Sequence, residues 1–141
     1  MCMYANLTAY LPLLPDDSLG VWVLDHENDG TAEHPFQMPF VIHSELVRQF
    51  ISDVYRFHEE HEELELHRYS EILRRSGLQW DIRSMRGANV SELDGQCVMA
   101  LIMGLLRAER FSEGVLLSFL KDGTVHRWLE RLDALDNQTA K

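Results

Sequence analysis

The chain has 141 residues, 45% of them hydrophobic and 26% charged, and its 23 acidic and 13 basic side chains give a formal net charge of −10. This composition is that of a globular chain and excludes disordered and collagen-like classes, and the length predicts a single domain over residues 1–141, with an ordered core over about 7–135. The acidic balance argues against general binding to nucleic acid phosphates or to an anionic membrane surface.

The N-terminal part of the chain predicts a short helix and then a small β-hairpin. Residues 7–14 predict a helix that is stopped by Pro15. The segment 20–24, GVWVL, is rich in β-branched and aromatic residues and predicts a strand, and residues 38–42 predict the strand that pairs with it.

The loop between the two strands begins like a calcium-binding loop. Asp25, Glu27 and Asp29 occupy alternate positions before Gly30. Phe36 stands where a calcium loop needs its bidentate acid, so a hairpin loop with acidic side chains is favoured over a calcium site.

Two amphipathic helices are predicted in the middle of the chain. Ser44 is a suitable N-cap for a helix over about residues 45–58, whose apolar residues recur at helical spacing. The next helix, about residues 66–75, is predicted to end with Gly77 at the position after its C-cap. The alternating apolar residues of 78–82 predict a short extended segment.

The most hydrophobic element is a helix that is predicted to open at Ser91 and to run to about Glu109. Ser91 and Asp94 have the spacing of a capping box, and residues 97–106 are apolar on almost every side, which predicts a central helix surrounded by others. Further caps at Ser112 and Thr124 predict a short helix and a final amphipathic one. The fold class is therefore mainly α (α+β): a compact helical domain of about five helices around a central apolar helix, with a small N-terminal β-hairpin.

The two cysteines and the N-terminus favour a cytoplasmic protein. Cys2 and Cys97 do not form a disulfide framework, and the apolar neighbours of Cys97 predict a small buried side chain. Residues 1–14 lack the basic region of a secretory signal. No apolar run approaches the length of a transmembrane helix, so a membrane partner is not predicted.

Histidine and glutamate cluster at residues 58–63, HEEHEE. His58 and Glu62 have the i, i+4 spacing of helical metal ligands, and His61 lies nearby. The run has one residue fewer between its histidines than the zinc motif H-E-x-x-H. A solvated helix end is therefore favoured over a metal site, and no cofactor is predicted.

The most specific cluster is RAERFSEG at residues 107–114. Arg107 and Arg110 leave the end of the apolar helix three residues apart, where they would complement its dipole and help to hold a corner between two helices. This structural corner would comprise Phe111, Ser112 and Gly114. In the alternative interpretation, the planar guanidinium groups receive the carboxylate or phosphate of a ligand. The ligand pocket would then be lined by Trp22, Tyr55, Trp80, Arg107 and Arg110.

A locally basic segment covers residues 68–86, whereas residues 1–47 contain seven acids and no lysine or arginine. Nucleic-acid binding would require the arginines of this segment to form one exposed face, and the acidic balance of the whole chain argues against it. These arginines are Arg68, Arg74, Arg75, Arg83 and Arg86.

The order of several motifs resembles a bacterial domain family of unknown function. The shared motifs are Leu11-Pro12, GVW at 20–22, PFV at 39–41, FISDVY at 50–55 and RAERFSEG at 107–114. The resemblance covers about residues 7–135 and implies a single intracellular bacterial domain in which Arg107, Arg110, Phe111 and Gly114 are important. It implies no catalytic residue, because the family carries no assigned activity.

The sequence contains no catalytic motif of the G-x-S-x-G, P-loop or dinucleotide-binding type. Its charge is segregated by sign along the chain, which favours specific encounter with a partner. We therefore predict a small cytoplasmic interaction or regulatory domain without catalytic activity, bound to a protein partner or to itself. The alternative is a small-ligand-binding module or enzyme with its pocket near Arg107, Arg110, Trp22 and Trp80.

Overall fold

The computed structural model describes residues 3–14, 19–23 and 40–139. Within these ranges it has two strands, β1 (Gly20–Val23) and β2 (Phe40–His43), and three short 3-10 turns at Glu62–Leu64, Leu66–Arg68 and Val90–Glu92. Its seven α-helices are α1 (Ala5–Thr8), α2 (Glu45–Glu60), α3 (Tyr69–Arg75), α4 (Ile82–Arg86), α5 (Gly95–Ala108), α6 (Val115–Lys121) and α7 (Thr124–Thr139). The mainly helical fold with a small hairpin is confirmed. The described ranges contain more helices than the five or so expected, and the one-turn helix α4 lies where no helix was predicted.

Helix α5 is the centre of the fold. Every residue from Cys97 to Leu106 is buried, and the helix contacts α2, α3, α4, α6 and α7. An all-round apolar surface is stable only when no side of the helix meets water, so the prediction of a central helix is confirmed. Cys97 is a free, buried thiol, and burial raises its pKa.

Two predicted helix ends are confirmed. The Ser44 side chain accepts a hydrogen bond from the Val47 N–H at 3.3 Å and caps α2. At the end of α3, Gly77 lies in the left-handed region at φ 80°, and the Leu78 N–H donates to the Leu73 carbonyl at 2.9 Å. This is the Schellman bond that follows a helix C-terminus.

Two predicted helix starts are wrong. The cap of α5 is Asp94, which accepts from the Cys97 N–H at 2.9 Å, whereas Ser91 lies within the preceding 3-10 turn. Thr124 does not accept as a cap. Its N–H donates to the Asp122 carboxylate at 2.9 Å, and Asp122 supplies the acceptor at this helix start. In both places several capping residues are adjacent in sequence, and the direction of the entering backbone selects among them.

The predicted extended segment over 78–82 is also wrong. Helix α4 begins at Ile82, and Asp81 caps it by accepting from the Ser84 N–H at 2.7 Å. An alternating pattern of this length does not distinguish a strand from a bend that leads into a helix.

The β-hairpin is antiparallel, as predicted. Val21 lies opposite Ile42, and Trp22 lies opposite Val41. The calcium-like part of the loop, residues 25–30, lies outside the described residues, as does Cys2. No helix in the described ranges is long and apolar enough to cross a membrane.

The N-terminal segment packs between α2 and α7. Helix α1 starts before the predicted residue 7 and is followed by a further turn in which the Leu14 N–H donates to the Tyr10 carbonyl at 2.9 Å. The Tyr4 N–H donates to the buried Asp136 carboxylate on α7 at 3.0 Å. The Tyr4–Asp136 bond joins the N-terminal segment to the last helix.

Tyr10 provides a pH-dependent test of this packing. Its hydroxyl donates to Asp53 at 2.6 Å, and burial together with this bond raises the pKa of Tyr10 to about 12. Because the folded pKa exceeds the unfolded value of 10.0, the stabilisation is complete below pH 10 and is lost as the pH rises through 12. We expect Tyr10→Phe to lower the free energy of unfolding by about 1 kcal/mol at pH 8.

Urea unfolding of both proteins at pH 8 and between pH 10 and 12 measures this effect. The difference in the free energy of unfolding between the wild type and Tyr10→Phe should become smaller as the pH rises from 10 to 12. A difference that stays constant there would contradict the role of the hydroxyl.

Candidate functional site

The turn between α5 and α6, residues 109–114, is here called the corner. Glu109 lies at its start, and its two carboxylate oxygens accept from the backbone N–H groups of Gly114 and Leu116. These N–H groups lie at the start of α6, where no backbone carbonyl can satisfy them. Glu109 therefore links the end of α5 to the start of α6. Sequence patterns for helix caps miss this acceptor, because it lies five residues before Gly114 and is neither Ser nor Asp.

The prediction that Ser112 caps α6 is wrong. Its N-cap is Gly114, at φ 90°, a backbone conformation that glycine adopts without strain. A Cβ on Gly114 would collide with the Trp22 ring, so the glycine also lets β1 approach the corner. On the other strand, Glu113 accepts from the Val41 N–H at 2.8 Å. The hairpin is thus fixed to the corner by Trp22 and Glu113.

Phe111 is the exposed aromatic residue of the corner. Its side chain is 81% exposed, which is unusual for an aromatic residue that follows a buried helix. Phe111 lines two cavities, which share no other lining residue. Phe111 therefore belongs to the surface of the corner and contributes little to its packing.

The first of these cavities, called the apolar cavity, has a volume of about 400 Å³. Its lining comes from α4, the residues before it, and the end of α5. The lining residues are Trp80, Asp81, Ile82, Met85, Ala108, Phe111 and Ser112.

The position of Trp80 in this cavity depends on a glycine in α5. The Trp80 indole N–H donates to the Gly104 carbonyl at 2.9 Å, and a Cβ on Gly104 would lie only 3.1 Å from the indole. The ring also makes edge contacts with Tyr69 at 5.2 Å and with Phe111 at 6.2 Å between centroids. Trp80 therefore forms a fixed wall against which Phe111 stands.

The second cavity, called the basic cavity, has a volume of about 330 Å³ and shares Phe111 with the apolar cavity. The lining residues are His67, Tyr69, Met103, Arg107, Arg110 and Phe111. Both predicted arginines are therefore at one cavity. Together, Phe111 and the two cavities are called the Phe111 surface.

Arg107 lies in the last turn of α5, where its charge complements the helix dipole, and Arg110 lies in the turn that follows. Within the described ranges, the side chains of Arg107 and Arg110 have no acidic or hydrogen-bonding partner. The nearby carboxylates of Glu109 and Glu113 instead accept from backbone N–H groups. The guanidinium groups remain available to an anion, in a protein whose net charge is −10.

The other residues of the predicted pocket lie elsewhere. Trp22 is on β1 against Gly114, and Tyr55 is half-buried on α2. Among the described residues neither lines the apolar or the basic cavity. Of the predicted set, Arg107 and Arg110 line the basic cavity, and Trp80 lines the apolar cavity.

The histidine-rich run does not form a metal cluster in the described residues. His58 and Glu62 line one cavity, whereas His61 contacts Glu63 at 3.0 Å and its ring packs on Phe57. No group of three or more His, Cys, Asp or Glu residues in the described ranges could hold a metal ion.

Two of the five arginines in segment 68–86 are engaged within the fold. Arg68 lies 3.9 Å from both Glu65 and Glu71. Arg86 lies 2.9 Å from Asp122 and over the ring of Phe119. These contacts partly neutralise the basic segment.

Comparison with known proteins identifies a family but not a function. A family model described as a family of unknown function (DUF6508) matches residues 3–138. No curated protein matches the chain, and no solved structure matches it.

Proposed function

Since the chain belongs to the DUF6508 family, whose function is unknown, we propose a function from geometry alone: a non-catalytic interaction domain that binds its partner at the Phe111 surface. We place this domain in the bacterial cytoplasm as a single unit that needs no cofactor. The partner is a protein, which can be a second copy of this chain. It presents an apolar side chain to the apolar cavity and a carboxylate to the basic cavity.

The exposure of Phe111 between two unlike cavities is the observation that carries this proposal. An exposed aromatic side chain next to an apolar cavity leaves apolar surface in water that a partner would cover. Aromatic residues and arginine are also the types enriched at the centres of protein interfaces. The Phe111 surface has both residue types, Phe111 and the two arginines, within residues 107–111.

The charge of the basic cavity supports an anionic group on the partner. Arg107 and Arg110 line this cavity without a carboxylate partner in the described residues. A planar guanidinium can donate two parallel hydrogen bonds to a carboxylate. A catalytic role has less support, because the cavities lack a paired nucleophile and base among their described lining residues.

A small probe that carries both groups tests the proposal. We expect 4-phenylbutyrate to shift the NMR signal of the Trp80 indole N–H, because its ring can enter the apolar cavity while its carboxylate meets the arginines. Arg107→Gln/Arg110→Gln should weaken binding at least about fivefold, or ~1 kcal/mol. The titration is measured at protein concentrations where the wild type is monomeric by sedimentation.

Two controls make this experiment specific. The matched cation 4-phenylbutylamine should bind more weakly than the carboxylate. Arg48→Gln, an exposed arginine on α2 that lines neither cavity, should bind the carboxylate as the wild type does. Equal binding of both probes, or an unchanged affinity in the double variant, would count against an anion-accepting interaction surface.

A further inference from the structure

The Phe111 surface contains a projecting side chain and, directly beside it, a cavity able to receive one. Phe111 is 81% exposed and forms one wall of the apolar cavity of about 400 Å³. When a projecting side chain and a cavity lie side by side on one surface, a twofold rotation can bring the side chain of each copy to the cavity of the other. Such an isologous contact uses the same patch on both subunits and closes after two copies.

The two cavities that share Phe111 carry opposite charges. Arg107 and Arg110 line the basic cavity, and Asp81 lines the apolar cavity. One oxygen of Asp81 caps α4, and its second oxygen has no partner in the described residues. A twofold axis close to Phe111 would place the arginines of one copy opposite Asp81 of the other.

We propose that the partner at the Phe111 surface is a second copy of this chain. In this homodimer each Phe111 enters the apolar cavity of the other subunit, and each pair of arginines faces the other subunit's Asp81. The inference rests on the proposed function, because it names the occupant of that same surface. The chain itself supplies both groups that the surface requires, an apolar side chain and a carboxylate.

A second exposed apolar face provides the matched control. On the hairpin, Val21 and Ile42 form a cross-strand pair, and they are 61% and 50% exposed. Val21 and Ile42 line neither the apolar nor the basic cavity. We therefore expect it to stay outside the homodimer.

Sedimentation equilibrium over a wide protein concentration range tests the proposal. Phe111→Asp should raise the dimer dissociation constant at least about 30-fold, as is typical of a central aromatic anchor. Val21→Asp should leave it unchanged. Both side chains are exposed, so both variants should keep the fold, which circular dichroism checks. A dimer that survives Phe111→Asp, or one that is lost in Val21→Asp alone, would overturn the assignment.

The charge pairing is tested separately by a double-mutant cycle with Asp81→Asn and Arg110→Gln. Asparagine still caps α4, so this variant removes the charge without removing the cap. Each substitution should weaken the dimer about three- to tenfold, and the double variant should be weaker by less than the product of the two effects. Effects that simply multiply would show that the two groups do not meet across the interface.

The outcome also separates this inference from the function on which it rests. A wild type that stays monomeric at every concentration would overturn the homodimer, whereas binding of 4-phenylbutyrate to that monomer would still support an interaction surface for another partner. A monomer that also fails to bind the probe would remove both proposals.

Discussion

Replacement of Glu109 by alanine is expected to lower the free energy of unfolding by about 2–3 kcal/mol. The Glu109 carboxylate accepts from two backbone N–H groups, those of Gly114 and Leu116, and both of these residues are buried. Without the carboxylate these donors have no acceptor at the start of α6. Urea unfolding at pH 7 measures the loss.

Glu109→Gln is the matched control for this prediction. The two bonds use different oxygens of Glu109, and glutamine retains only one acceptor oxygen. We therefore expect a loss of about half that of alanine. A glutamine variant as stable as the wild type would contradict the need for two acceptor oxygens at this position.

The contribution of Glu109 to the free energy of unfolding depends on pH in the opposite direction to that of an exposed capping carboxylate. Burial raises the pKa of Glu109 above its ordinary value of 4.5, and this effect outweighs the lowering by the two backbone hydrogen bonds and by His43. The resulting stabilisation is complete below pH 4.5 and is lost as the pH rises through the folded pKa. The stability of the wild type relative to Glu109→Gln should therefore increase on acidification through that pKa. A decrease would contradict the burial of this carboxylate.

Gly104→Val is expected to lower the free energy of unfolding by about 3 kcal/mol and to displace Trp80. A Cβ at this position would already lie 3.1 Å from Trp80 and 3.4 Å from the sulfur of Met85. The two further methyl groups of valine have no space unless the indole moves away from α5. Its N–H would then lose the Gly104 carbonyl, and the apolar cavity would lose a wall.

Gly104→Ala separates the steric effect from helix propensity. Alanine favours a helix over glycine by about 1 kcal/mol, and this gain offsets a shift of the indole by a few tenths of an ångström. We expect a net change close to zero for alanine, against a large loss for valine. Urea unfolding and the NMR signal of the Trp80 indole N–H report the two effects. An undisturbed indole in the valine variant would contradict the close approach of Trp80 to α5.

Local patterns predicted the elements whose determinants lie within a few residues. Ser44 and Gly77 marked helix ends correctly because a cap bond joins positions three to five residues apart. The uniform apolar character of residues 97–106 marked a central helix because only full burial stabilises such a surface. Where several capping residues stand together, as at Ser91 and Asp94, the pattern could not decide among them.

The roles within the motif at 107–114 could be decided only by the tertiary structure. The sequence determined that this motif forms a corner after a buried helix, because the apolar run ends there and charged residues follow. Whether Arg107 is paired, and whether Phe111 is buried, depends on neighbours that arrive from α3, α4 and β2. The carboxylates of Glu109 and Glu113 accept from backbone N–H groups and form no ion pair with the arginines. The side chain of Phe111 is exposed. Tertiary contacts between distant segments thus decided which residues of one short motif hold the fold and which remain free to bind.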